Sequence, residues 1–248
     1  MQEKYDCPVF CAGDLYDHWK PSPYLLSTTL ANLPKKFFTV LGNHDLPQHS
    51  MELYEKCGVN VLAISKNLNV LSECNWGQTP NKGSLFIPSI NKSILIWHVM
   101  TYQGKSPWPG CTAPTAFELL NKYPQFPLLL IGDNHKSFVE ELDGRILVNP
   151  GSLTRQTADQ EEHRPCVWLW YADTNTVTPH YMQCEKNVIS REHIDKIDAR
   201  NERLDAFVQT LSNEWDEGIS FEENLERFFR VNSVRESVIK IIRKAITP

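Results

Sequence analysis

The sequence has no excess of positive charge, no closely spaced cysteine pair and no long apolar run. Its formal net charge is −5, so affinity for nucleic acid would have to come from a local patch or a partner. Its seven cysteines are an odd number without a Cys-x-x-Cys pair, which argues against a disulfide framework and a zinc finger and fits a reducing cytosol. No signal peptide or apolar run of about 18 residues is present, so we expect a cytoplasmic protein without membrane contact.

Four short apolar runs each end at residues that can bind a metal ion. These runs lead into Gly13-Asp14-Leu15-Tyr16-Asp17, Gly42-Asn43-His44-Asp45, His98 and Gly132-Asp133-Asn134-His135. Apolar runs bounded by turn formers predict buried strands, and open α/β sheets carry their chemistry where strands end. Any one of these segments alone also fits a polar loop whose side chains satisfy the backbone. Their recurrence favours a metal site at the edge of a sheet.

In order and spacing these blocks resemble the calcineurin-like metallophosphoesterase superfamily. The blocks are Gly13-Asp14-x-x-Asp17, Gly42-Asn43-His44-Asp45, His98 and Gly132-x-Asn134-His135. A later stretch, residues 148–155, resembles the SbcD-type nucleases and their bacteriophage relatives, so that the resemblance covers roughly residues 5–185. One block is missing, because the superfamily opens with an Asp-x-His pair and no Asp-x-His precedes Asp14 here.

The pattern of elements predicts an α/β fold, a two-sheet sandwich flanked by helices. Helical and strand patterns mix in the first part, where residues 59–64 are predicted to be a strand. The second part is rich in strands and includes a hairpin with an Asp143-Gly144 turn. We assign residues 1–185 to this metallophosphoesterase domain and expect it to be incomplete at its N-terminus, either by truncation or by loss of the missing block.

Residues 186–248 are predicted to form a helical C-terminal appendage. Ser220 and Ser233 each stand three residues before a glutamate and precede apolar positions, the pattern of a capping box. Apolar residues spaced through 194–215 predict a longer helix upstream. The appendage either packs on the sandwich or docks a partner.

The resemblance implies two divalent ions at the strand ends. Asp14 would bridge them, Asn43, His98 and Asp133 would serve one ion, and His135 would serve the other. Ligands of nitrogen and oxygen without thiolate favour Mn²⁺, with Mg²⁺, Zn²⁺ or Fe as alternatives. Asp133 stands where the superfamily commonly has His, which makes the site more anionic and again favours Mn²⁺ or Mg²⁺ over Zn²⁺. Because the missing block would hold the second ion, we expect one tightly bound ion on Asn43, His98 and Asp14, with Asp133 as a further candidate.

The resemblance also implies roles for residues around the ions. His44 would bind the phosphate or protonate the leaving oxygen, and Asp45 would orient His44 or a neighbour. Asp17 would support the ligands without binding metal. Arg155 would hold a phosphate oxygen through its planar guanidinium group, but a structural role explains an arginine there equally well. The remaining histidines considered, His18, His49, His163 and His180, match no block and are interpreted as surface or loop residues.

Two functions remain open at this stage. The first is a metal-dependent phosphodiester hydrolase, specifically a DNA nuclease subunit of SbcD type working with an SbcC-type ATPase partner. The second is a catalytically impaired or truncated metallophosphoesterase that acts as a binding or scaffold module. The genomic sequence upstream of Met1 would separate them, because an in-frame Asp-x-His after an apolar run would restore the first interpretation.

Overall fold

The arrangement of the chain is given by a computed structural model. It describes residues 2–71, 82–88, 91–155, 157–185, 188, 190, 196–197, 199–203 and 220–246. The chain divides into two compact units, Met1–Lys186 and Asn187–Pro248. Within the described ranges, no helix combines the length and the apolar character needed to cross a membrane.

The first unit contains both helices and strands. The helices are α1 (Gln2–Tyr5), α2 (Pro23–Asn32), α3 (Gly58–Ile64) and α4 (Ala116–Lys122). The strands are β1 (Val9–Cys11), β2 (Phe37–Thr39), β3 (Leu68–Val70), β4 (Lys82–Ile87), β5 (Lys92–His98), β6 (Leu128–Gly132), β7 (Phe138–Leu142), β8 (Arg145–Asn149), β9 (Cys166–Tyr171) and β10 (Thr176–Tyr181). Short 3₁₀ turns lie at Pro47–His49, Met51–Lys56 and Ala158–Gln160.

The described strands form three sheets. One is a parallel sheet in the order β1-β2-β3, and another is a five-stranded mixed sheet in the order β4-β5-β6-β8-β7. The third is the antiparallel hairpin of β9 and β10. The parallel pairs run in the same direction, so their carboxyl ends meet at one edge of each sheet.

The side chains of β5 show how the layers pack, because they alternate between two buried faces. Ile94 and Ile96 join a core with Ala12 and Val40, which directly follow β1 and β2. Trp168, Trp170 and Val177 of the hairpin pack against the same core. Leu95 points the other way and packs with Leu119 and Leu120 of α4. A further core, which includes Phe37, Leu62 and Leu68, lies between the three-stranded sheet and helices α2 and α3.

The predicted fold class is confirmed, with two corrections. The layer opposite the five-stranded sheet is divided between the three-stranded sheet and the β9–β10 hairpin. The strand predicted at residues 59–64 is wrong, since this segment forms α3. Its β-branched residues favour a strand, but Val59 and Leu62 lie one helical turn apart and are both buried. The sulfur of Cys57 accepts a hydrogen bond from the amide of Asn60 and caps the helix.

The second unit contains two amphipathic helices, α5 (Phe221–Val231) and α6 (Glu236–Ile246). Leu225, Phe228 and Phe229 are buried in a small core with Ile239 and Ile242. The capping box at Ser220 is confirmed. The one predicted at Ser233 is wrong, because Ser233 has a φ of +48° and α6 begins at Glu236. The upstream helix predicted within residues 194–215 lies largely outside the described residues.

Candidate metal centre

The ends of four strands bring the predicted ligands together. Asp14 follows β1, Asn43 follows β2, His98 is the last residue of β5, and Asp133 follows β6. In the five-stranded sheet His98 is aligned with Gly132, so that His98 and Asp133 lie at the same edge. The sequence interpretation of four strands converging on one site therefore holds in the structure.

The centre of the site is the Nε2 atom of His98. It lies 2.9 Å from Asn43 Oδ1, 3.2 Å from Asp14 Oδ2 and 3.6 Å from Asp133 Oδ1. The ligand atoms of Asp14, His98 and Asp133 all lie within 4.8 Å of one another. One imidazole nitrogen and three oxygens thus form a candidate set of donors for a cation.

The other ring nitrogen of His98 fixes which atom can bind a metal. Nδ1 lies 2.7 Å from the carbonyl oxygen of Ala12. A carbonyl oxygen only accepts hydrogen bonds, so Nδ1 carries a proton and Nε2 is the nitrogen that faces the ligands. Burial lowers the pKa of His98, but the hydrogen bond and charge of Asp14, followed by the Ala12 carbonyl and the charge of Asp133, raise it overall above 6.5. His98 therefore binds a proton more tightly than a free imidazole does, and that proton competes with a cation for Nε2.

The carboxylate of Asp14 is held ionised. Burial raises its pKa, but hydrogen bonds and charge from His98 and the backbone amide of His44 lower it overall below its ordinary value of 3.8. That amide lies 2.8 Å from Asp14 Oδ1, while Oδ2 faces His98. The two oxygens of Asp14 are thus directed to two different partners.

Unusual backbone geometry supports this arrangement. Asp14 and Asp133 have φ angles of +51° and +75°, a left-handed conformation that aspartate tolerates better than most residues. The glycines beside them leave no room for a side chain. A Cβ atom on Gly42 would lie 2.0 Å from Asp14 Oδ1, and one on Gly132 would lie 2.2 Å from the Ala12 carbonyl oxygen. Glycine is therefore required where these turns approach the ligands.

Asp45 lies beneath the site, with 0% of its surface exposed. Its carboxylate accepts hydrogen bonds from the backbone amides of Gly42 (2.9 Å) and Tyr16 (3.4 Å). Burial raises the pKa of Asp45 to about 6, with a contribution from the charge of Asp14. Asp45 therefore orients the neighbouring loops and is shielded from substrate. The sequence left open whether Asp45 orients His44 or a neighbour, and these contacts favour a neighbour.

His44 is exposed beside the site. Its Nδ1 lies 2.8 Å from the backbone carbonyl oxygen of Asp17, so Nδ1 donates and Nε2 is the ring atom left for a substrate. The carbonyl of Asp17 thus supports His44, whereas the sequence interpretation expected Asp17 to support the metal ligands.

Two predicted residues are placed apart from the donor set. His135 is exposed and is not part of the cluster of Asp14, His98 and Asp133. The guanidinium group of Arg155 donates hydrogen bonds to the backbone carbonyls of Glu161 and Glu185. These contacts favour the structural alternative for Arg155 over a phosphate contact.

Sequence reasoning missed two side chains that contact the site loops. His49, interpreted as a loop histidine, is exposed and has its Nδ1 2.8 Å from the carbonyl oxygen of Asn43. Asn149 donates to two carbonyls of the loop after β6. Asn149 lies within residues 148–155, which carry a resemblance in the sequence, but neither contact has a periodic signal, because each depends on how the loops fold back in three dimensions.

The donor set fits a hard or borderline divalent cation. It contains two carboxylates, an amide oxygen and an imidazole, a combination that suits Mn²⁺, Mg²⁺, Zn²⁺ or Fe²⁺. The thiol of Cys11 donates a hydrogen bond to the Gly13 carbonyl, and burial raises its pKa to about 11. Cys11 is not part of the cluster of Asp14, His98 and Asp133.

Comparisons with known proteins identify the family of this chain. A profile of the Calcineurin-like phosphoesterase family matches residues 7–209. No curated protein matches the sequence. Similar solved structures include an archaeal phosphodiesterase, with 13% identity and a TM-score of 0.43 over 73% of this chain and 87% of its own.

Two further similar structures are Vps29 proteins. One, from Entamoeba histolytica with Zn²⁺, has 15% identity and a TM-score of 0.34 over 70% of this chain and 96% of its own. The other, from Cryptosporidium parvum, has 17% identity and a TM-score of 0.34 over 71% and 96%. The family match alone spans most of the chain and includes all four strand ends of the metal centre. The chain belongs to the calcineurin-like phosphoesterase family.

Proposed function

We propose that this protein is a metal-dependent phosphodiester hydrolase whose ion is held by Asn43, His98, Asp14 and Asp133. The observation that carries the proposal is the convergence of three oxygens on Nε2 of His98, at distances of 2.9 to 3.6 Å. The anchoring of Nδ1 by Ala12 supports it, because this bond orients the ring toward the oxygens. Family membership supports phosphoester hydrolysis as the reaction.

A divalent ion in this donor set supplies charge neutralisation at the phosphoryl oxygens and lowers the pKa of water. The protein residues supply orientation and proton transfer. Asp14 and Asp133 balance the positive charge, and the buried carboxylate of Asp45 fixes the loop that carries Asn43. We propose Mn²⁺ as the physiological ion, because two carboxylates and an amide oxygen make a hard set of ligands.

His44 is the proposed general acid. Its Nδ1 is held by the Asp17 carbonyl, so proton exchange with the leaving oxygen takes place at Nε2. The backbone amide of the same residue binds Asp14. The loop therefore couples the position of the acid to the position of the metal ligand, which is the alignment that general acid catalysis needs.

The test is to purify the full chain, measure its metal content, and follow hydrolysis of bis(p-nitrophenyl) phosphate as a function of Mn²⁺ concentration. We expect Mn²⁺-dependent turnover that is lost together with bound metal in His98→Ala. His180→Ala is the matched control, since His180 lies on β10 and has no contact with the donor set among the described residues. Turnover that is independent of metal, or that survives in His98→Ala, would contradict the proposal.

At finer detail we propose a DNA nuclease subunit of SbcD type with an SbcC-type ATPase partner. The support is the resemblance of residues 148–155, and the net charge of −5 is the reason to expect that a partner contributes to DNA affinity. Single- and double-stranded DNA should be tested beside the small diester. Hydrolysis of the small diester with no DNA cleavage, even with a candidate ATPase present, would reject the nuclease and keep the hydrolase.

A binding or scaffold module is the second candidate. It is favoured by the single cluster of ligand side chains found among the described residues, Asp14, His98 and Asp133, which does not include His135. Phosphodiester hydrolysis commonly uses two ions. Tight binding of one ion without turnover at any Mn²⁺ concentration would support this candidate over the enzyme.

A further inference from the structure

A buried amide contacts the loop that follows β6. Asn149, the last residue of β8, has 0% of its surface exposed. Its Nδ2 lies 2.6 Å from the carbonyl oxygens of both Asn134 and Lys136. Both partners are acceptors, so the nitrogen must face them and the orientation of the amide is fixed. Both carbonyls belong to the loop directly after Asp133.

The other end of this amide explains why asparagine is needed here. Asn149 Oδ1 is buried and has no hydrogen-bond partner among the described protein atoms. A buried polar atom without a partner is unfavourable, and an apolar side chain would avoid that penalty. The two hydrogen bonds that Nδ2 donates therefore explain why an amide stands at this position.

The backbone of this loop must be held in place by its surroundings. Asp133 is exposed and has a φ of +75°, a conformation that persists only when the surroundings enforce it. The side chain of Asn134 adds local restraint by accepting from the Lys136 amide (3.0 Å) and donating to the Thr101 carbonyl (2.7 Å). Asn149 differs from Asn134 because it belongs to the adjacent strand, β8, and fixes the loop to that strand.

We infer that Asn149 is a positioning residue that holds Asp133 at the metal centre through the following loop. The inference rests on the proposed function, since the position of Asp133 matters for a cation bound beside His98. The hydrogen bonds that Asn149 donates to this loop maintain the contact between Asp133 Oδ1 and His98 Nε2, which lie 3.6 Å apart.

A matched control is Asn175, which lies in the turn between β9 and β10 and contacts the five-stranded sheet at the opposite end of β6. Nδ2 of Asn175 donates to the carbonyl oxygens of Pro127 (3.1 Å) and Gly144 (2.6 Å). Pro127 directly precedes β6, whereas Asn149 clamps the loop after it. Both asparagines therefore make the same two-carbonyl contact, but that of Asn175 lies at the amino end of β6, away from the ligands.

The experiment measures Mn²⁺ affinity by calorimetric titration of the full chain, together with the melting temperature. Asn149→Ala should weaken Mn²⁺ binding by ~10–100-fold, the range for losing a group that orients a ligand. Asn175→Ala should lower the melting temperature and leave Mn²⁺ affinity unchanged. In an Asp133→Ala background, Asn149→Ala should weaken binding little further, because residues that act through one another are not additive. Asn149→Ser, a smaller change that keeps a hydroxyl donor, carries the test if the alanine variant does not fold.

The outcomes separate this inference from the proposed function. Wild-type affinity in the Asn149 variants, an equal loss of affinity in Asn175→Ala, or fully additive losses with Asp133→Ala would overturn the inference and leave the hydrolase proposal intact. A wild-type chain that binds no Mn²⁺ would overturn both.

Discussion

The imidazole Nδ1 of His98 lies 2.7 Å from the carbonyl oxygen of Ala12, and this contact joins the five-stranded sheet to the three-stranded one. It also selects the ring nitrogen that faces Asn43, Asp14 and Asp133. The first prediction tests this contact through Gly132. A Cβ at this position would lie 2.2 Å from the Ala12 oxygen and 2.9 Å from His98 Nδ1. Gly132→Ala should therefore weaken Mn²⁺ binding by ~10-fold or more.

Gly104→Ala is the control for that substitution, because beyond its chain neighbours no atom lies within 4 Å of the Cβ that would be added there. Its φ of +75° makes alanine strained at this exposed position, which lowers stability without a clash at the site. It should leave Mn²⁺ affinity unchanged in the same titration. Wild-type affinity in Gly132→Ala would show that the Ala12 contact does not govern the ligand.

The second prediction concerns His44. Since its ring is anchored to the Asp17 carbonyl and does not belong to the donor set, His44→Ala should cut turnover by ~10²–10⁴-fold while bound metal stays constant. Turnover and metal content measured on the same samples decide the matter. A loss of metal in proportion to activity would assign His44 to the ion instead.

The third prediction compares two carboxylates on one loop. Asp14 faces His98 with one oxygen and the His44 amide with the other, so Asp14→Asn should remove most of the bound metal and the activity with it. Asp17→Asn should be milder, because the contact of Asp17 with His44 uses the backbone carbonyl, which the substitution retains. Equal losses of metal in the two variants would show that their roles are misassigned.

The fourth prediction is a pH dependence of the metal-free protein. The folded pKa of His98 is raised above 6.5, chiefly by Asp14 acting against burial. The native state therefore binds this proton more tightly than the unfolded chain. Its contribution to stability is fully present below pH 6.5 and is lost as the pH rises through the folded pKa.

An NMR titration of the His98 ring in metal-free protein, with denaturation curves across the same pH range, checks this. In Asp14→Asn the pKa of His98 should fall and the stability loss should move to lower pH. A His98 pKa below 6.5 in the wild-type protein would contradict the assignment.

The fifth prediction concerns the C-terminal helices. Leu225, Phe228 and Phe229 form their core with residues of α5 and α6 and the turn between them. Deleting residues 186–248 should leave a chain that unfolds cooperatively and binds Mn²⁺ with wild-type affinity. A truncated chain that fails to fold would show that these residues complete the core of the sandwich.

The sequence predicted which strand ends lie together, because each ends an apolar run at a polar residue. Asp14, Asn43 and Asp133 directly follow a glycine, whereas His98 itself ends its strand. That these residues bind a metal ion stays a prediction. The helix at Gly58–Ile64 was missed because its β-branched residues favour a strand locally, and only packing of Val59 and Leu62 decides for the helix. The contact of Asn149 could not be predicted, since it spans 13 to 15 residues without any periodic pattern.

The four proposed ligands come from both layers of the sandwich, Asp14 and Asn43 from the three-stranded sheet and His98 and Asp133 from the five-stranded one. Separating the two sheets would therefore pull the ligands apart. An ion bound among them would stabilise the packing of one sheet on the other. Binding to the native state alone would add ~2.7 kcal/mol to the free energy of unfolding at an ion concentration 100 times the Kd. A chelator would lower the resistance of this protein to heat and proteolysis, and the difference in melting temperature with and without Mn²⁺ would measure ion binding without any substrate.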